Sequence, residues 1–128
     1  MKFNFYNPKE ASNCILRSFS KITGKNGMII ETELKDLAKQ MDKNDYSDIE
    51  VFEKYLEQLG FEKYNCLNDV KIKDLNLDNL TYSIFCWDKK DYYHLVTISE
   101  NILYDKKEET LELYPISIYK LRTKELDK

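Results

Sequence analysis

Residues 81–105, TYSIFCWDKKDYYHLVTISENILYD, change the character of the chain. From Thr81 to Trp87, and again from Tyr93 to Ile98, aromatic and β-branched residues crowd together, and the polar DKKD stands between them. That is the composition of two strands joined by a turn. A polar SEN then sets off the shorter ILYD, which ends at Asp105. Further on, TLELYPISIYKL (110–121) supplies one or two more strands, with Pro115 marking an edge, a bend or a boundary because it has no N–H for a ladder.

Upstream of this half the apolar period is helical. Asn13 is a good N-cap, Ile15, Leu16, Phe19 and Ile22 follow at helical spacing, and Gly24 closes the run. IIETELKDLAKQM (29–41) places Ile30, Leu34, Leu37, Ala38 and Met41 on one face. A third helix starts at SDIE, where Ser47 and Glu50 have capping-box spacing, and runs through Val51, Phe52, Tyr55, Leu56 and Leu59 to Gly60. LNDVKIKDLNLDNL (67–80) mixes apolar residues with turn formers and reads as either a short helix or an irregular connection. Helices before strands predict an α+β fold, with N-terminal helices packed on a C-terminal antiparallel sheet. A length of 128 residues without repeat or linker suits a single domain over 1–128, and RTKELDK (122–128) reads as a solvated end.

Composition narrows the function. With 42% hydrophobic residues, three Gly and two Pro the chain has the means to build a core. Twenty basic against 23 acidic residues, interspersed along the chain, leave no positive field for nucleic acid. The tyrosines and Trp87 lack the interleaved arginines of a base-stacking surface. No apolar run approaches the roughly 18 residues of a membrane span, and MKFNFYNPKE lacks the apolar stretch of a signal peptide, so the expectation is a cytoplasmic protein with no membrane partner. Cys14, Cys66 and Cys86, odd in number and widely spaced, are then expected to be reduced thiols. Cys66 in YNCL and Cys86 in IFCW read as core, and without a C-x-x-C pair a metal site is not expected.

Cys14 falls in the first turn of the first helix, where the dipole and unpaired N–H groups favour a thiolate. A cysteine nucleophile needs a base and a group to orient that base. His94, the one histidine, opens HLVTI, and Asp105 or the turn residue Asn101 approaches it if the two strands pair. Each has a plain alternative: a buried thiol, a half-buried strand histidine, an aspartate ending a strand. Arg17, one turn beyond Cys14, suits an ion pair with an acid.

NCILRSFSKITGK followed much later by YHLVTISENILYD resembles the small papain-like cysteine peptidases of bacteria and phages, in layout over most of the chain. The resemblance implies a papain-like fold, a peptide or protein substrate and no cofactor. It makes Cys14 the nucleophile, His94 the base and Asp105 the orienting residue, with Asn101 the weaker candidate for the last role. The Gln that such enzymes place shortly before the Cys is absent, leaving Asn7 and Asn13 as amides for an oxyanion hole. The implied activity is hydrolysis or acyl transfer at a peptide or isopeptide bond. The alternative is a catalytically silent papain-like binding module, with a phage or bacterial genome the source that the Lys-, Asn-, Ile- and Tyr-rich composition suggests.

Overall fold

The computed structural model describes residues 4–6, 13–64, 69–105 and 108–121. Among them three helices, α1 (Cys14–Thr23), α2 (Gly27–Gln40) and α3 (Ile49–Gln58), precede five antiparallel strands, so the fold is α+β. The strands are β2 (Phe61–Tyr64), β3 (Thr81–Trp87), β4 (Tyr93–Ser99), β5 (Ile102–Tyr104) and β6 (Tyr114–Leu121). A short strand β1 (Asn4–Tyr6) adds to the edge, parallel to β5, in the order β1-β5-β4-β3-β6-β2. Among the described residues no helix is long and apolar enough to cross a membrane.

The helix ends follow from local chemistry. Asn13 caps α1 by accepting the Leu16 N–H at 2.9 Å, and Gly24, at φ 77, ends it with its N–H on the Ser20 carbonyl. Asn26 caps α2 through the Ile29 N–H at 3.0 Å, four residues before Ile30, the first position of the apolar face. The capping box expected at Ser47 is not the cap of α3. Asp45 takes the Ser47 N–H at 2.9 Å into a turn of its own, and Asp48 caps the helix by accepting from the Glu50 N–H. Gly60 lies two residues past the helix at φ 98, which lets the chain swing directly into β2.

The open stretch 67–80 contains, among its described residues, a 3-10 helix at Ile72–Asp74. TLELYPISIYKL begins inside a second 3-10 helix, Glu108–Glu112, and continues as the single strand β6. Pro115 sits inside that strand opposite Cys86, where the β3–β6 register shifts between Phe85 and Cys86. It is tolerated because β2 reaches β6 only from Ile118 onward, leaving the other side of Pro115 without a ladder to break. Strands β1 and β2 were not expected. Each is three or four residues long and is held by a distant partner, β5 or β6, so neither carries a strand pattern of its own.

The sheet has a core on each face. The helices bury Phe19, Leu34, Phe52 and Leu56 against Leu95 and Tyr119 on one side. On the other, Tyr82, Ile84, Cys86, Val96, Ile98 and Ile118 pack under Ile72 and Leu111 of the 3-10 segments. Alternation along β4 sends Leu95 to the helices and Val96 to the opposite core. His94, one residue before Leu95, shares the face of Val96. The tail 122–128 lies outside the described residues.

Candidate active site

Strand β5 pairs only with Thr97 to Ser99 of β4, which leaves the first half of that β4 edge to helix α1. Two hydrogen bonds fasten the helix there. The Ser18 hydroxyl donates to the Leu95 carbonyl at 3.0 Å, and the Thr97 hydroxyl donates to the Ser18 carbonyl at 3.2 Å. This docking carries the start of α1 to the start of β4, where the Cys14 thiol comes under the influence of the His94 ring and the Leu95 backbone.

Sheet register supplies the carboxylate. Thr97 opposes Tyr104, so the next pair along the ladder would set Val96 against Asp105, and His94 is diagonal to Asp105 on the same face. His94 Nε2 lies 2.8 Å from Asp105 Oδ2. Because Arg17 Nη2 donates to Oδ1 at 3.0 Å and the Thr110 hydroxyl donates to Oδ2, the carboxylate is an acceptor and Nε2 carries a hydrogen. That leaves the other ring nitrogen for Cys14. Tyr92 stacks on the imidazole, with ring centroids 5.7 Å apart, and the Cys86 thiol donates to the His94 carbonyl at 3.3 Å from the neighbouring strand.

The electrostatics follow from these neighbours. Burial pushes the Cys14 thiol up. The His94 hydrogen bond, the Leu95 backbone and the charges of His94 and Arg17 outweigh it, and the pKa falls below the ordinary thiol value. Burial likewise opposes a charge on His94, yet the Asp105 and Cys14 hydrogen bonds and charges raise it to about 9. Both shifts favour the thiolate–imidazolium form of the pair. Cys86, fully buried, is driven well above the ordinary thiol range, first by burial and then by the negative charges of Asp105 and Cys14.

Cys14, His94 and Asp105 thus come together from three elements. Asn101 does not join them: it occupies the β4–β5 turn at φ 61, and its amide nitrogen donates to Asn79 at 3.4 Å. The Asn13 carbonyl oxygen is used on the α1 cap and its amide nitrogen donates to the Tyr46 hydroxyl at 3.0 Å. Asn7 and Cys66 lie outside the described residues. Cys86 is a free, buried thiol in the core, as its apolar surroundings predicted. Sequence reading missed Thr110 and Tyr92. Thr110 has no local signal, whereas Tyr92, two residues before His94, has the spacing of a same-face neighbour. Among the described residues no cluster of three or more His, Cys, Asp or Glu side chains is placed to hold a metal ion. No family model, curated protein or solved structure matches this chain.

Proposed function

We propose that the chain is a cysteine peptidase, or a related thiol acyl-transfer hydrolase, of papain-like layout, acting on a peptide or isopeptide bond. The observation that carries this reading is the placing of the Cys14 thiol beside a His94 ring that is itself hydrogen-bonded to Asp105, with the thiol at a helix start and the imidazole on a strand. In the proposed reaction the Cys14 sulfur attacks the carbonyl carbon, and the carbonyl electron pair moves onto oxygen. The Cys14 backbone N–H, in the first turn of α1, is the nearest candidate donor for that oxyanion. Collapse breaks the carbon–nitrogen bond, and the departing amine takes its proton from the His94 imidazolium. Water then attacks the thioester and gives His94 a proton, and the freed acid leaves Cys14 as a thiolate. Asp105 keeps the ring in the required tautomer throughout.

The test is turnover of an acyl substrate. Wild-type protein, Cys14→Ala and His94→Ala are incubated with an activated acyl ester and, separately, with a mixed peptide library read by mass spectrometry. Wild type is expected to pass through a transient acylated mass and to release product repeatedly, whereas Cys14→Ala does neither. Stoichiometric labelling of Cys14 by a thiol probe, without turnover of ester or peptide, would instead support the silent binding module.

A further inference from the structure

Arg17 contributes something that a cysteine, a histidine and an aspartate alone lack. Its guanidinium donates to Asp105 Oδ1 at 3.0 Å, with Arg17 6% exposed and Asp105 1% exposed. Cys14 and Arg17 lie on the same helix, three residues apart, while Asp105 follows β5 and His94 opens β4. The contacts therefore close a ring: Cys14 to His94, His94 to Asp105, Asp105 to Arg17, and Arg17 back along one turn of α1 to Cys14. Thr110, from the second 3-10 helix, adds a donor to the Asp105 oxygen that His94 uses.

Charge gives the ring its meaning. Thiolate, imidazolium, carboxylate and guanidinium alternate in sign and sum to zero, so the reactive form carries no uncompensated charge into a mostly buried site. Without the guanidinium the same three groups sum to −1, and the site restores neutrality by taking up a proton. We propose that Arg17 is a positioning residue: it holds the Asp105 carboxylate, and through it the His94 ring, toward Cys14, and it makes the ion-pair form of the site electrically neutral. The inference rests on the peptidase reading only in so far as that reading needs a Cys14–His94 pair. The other titratable groups at the imidazole are Cys86 on β3 and Tyr92 before β4, and the proposal assigns no charge to either.

The experiment needs no substrate. Because His94 is the only histidine, the 15N resonances of its ring report one tautomer without assignment by mutation. Those resonances and the pH midpoint of Cys14 alkylation, corrected for the folded fraction, are compared in wild type, Arg17→Met, Arg17→Lys and Thr110→Val. Arg17→Met is expected to move the Cys14 midpoint up by about one pH unit, roughly a tenfold loss of thiolate below the midpoint, and to disturb the ring pattern with hydrogen on Nε2. Arg17→Lys, which keeps the charge, is expected to recover part of both. A folded Arg17→Met protein with the wild-type midpoint and ring spectrum overturns the proposal. If that variant fails to fold, Arg17→Gln, which can still donate to Asp105 but carries no charge, replaces it, with Thr110→Val, which keeps every charge, as the control: a folded Arg17→Gln protein whose midpoint and ring spectrum match wild type again overturns the proposal. A depressed wild-type midpoint that Arg17→Met leaves unchanged defeats the role of Arg17 alone. A wild-type midpoint equal to that of a free thiol defeats it together with the peptidase reading.

Discussion

Two thiols within one site behave oppositely because their neighbours differ. Cys14 is half-buried at a helix start and faces a protonatable ring, whereas Cys86 is enclosed by the core and gives its hydrogen to the His94 carbonyl. Alkylation of the folded protein at mildly acidic pH is therefore expected at Cys14, with Cys86 reacting only after unfolding. His94→Ala removes the main partner of the thiolate while leaving Asp105 paired with Arg17, so the Cys14 profile is expected to move to higher pH. Labelling followed by peptide mapping across pH checks both statements, and identical profiles in wild type and His94→Ala would refute the pair. At this scale the sequence revealed the candidates, since a Cys after an N-cap and a lone His on a strand are visible in one dimension. It also suggested an acid for Arg17 without identifying it. That acid lies 88 residues away, and no local pattern spans such a distance.

Helix α1 joins the stability of an element to the placement of the site. Its first turn is held by the Asn13 side chain on the Leu16 N–H, and its middle is fastened to β4 through Ser18, Leu95 and Thr97. Asn13→Ala is expected to cost about 1 kcal/mol, the usual loss for a side-chain cap, because the Leu16 N–H then relies on solvent. Urea unfolding of wild type and variant measures that loss. The Ser18 and Thr97 bonds remain, so the helix stays docked and the effect is expected to fall on stability more than on Cys14 labelling. Periodicity made α1 and α2 legible in the sequence, with caps read at the ends of α1 alone, while the Asn26 cap of α2 was missed. The α3 cap was misread because Ser47 and Asp48 are both good N-cap residues, and the choice between them rests on Asp45 drawing Ser47 into a turn. The crowding of aromatic and β-branched residues on either side of DKKD made β3 and β4 legible. The short β1 and β2 stayed hidden because their pairing partners, more than their own residues, make them strands.

Over the whole molecule, the buried ion pair ties stability to pH. A protonated His94 is favoured by the fold, which raises its pKa from 6.5 to about 9. Its stabilising contribution is therefore complete below 6.5 and is lost as pH rises toward about 9. Cys14 runs the other way: its lowered pKa stabilises the fold above the ordinary thiol value of 9.0, and that contribution fades as pH falls through the native value. The stability advantage of wild type over His94→Gln is thus expected to shrink from 6.5 to about 9, measured by denaturant unfolding at each pH. An advantage constant across that window would show that the imidazolium gains nothing from Asp105 and Cys14. By itself the sequence determined the α+β class, the helical faces, the central hairpin and the identity of Cys14, His94 and Asp105 as candidates, because periodicity, capping and turn chemistry act over a few residues. Only the tertiary structure decided that β5 stops short and leaves the β4 edge to α1, that Asp105 rather than Asn101 reaches the imidazole, and that Arg17 and Thr110 hold it. Those outcomes depend on strand register and helix docking, which arise when distant segments bury their apolar faces against one sheet.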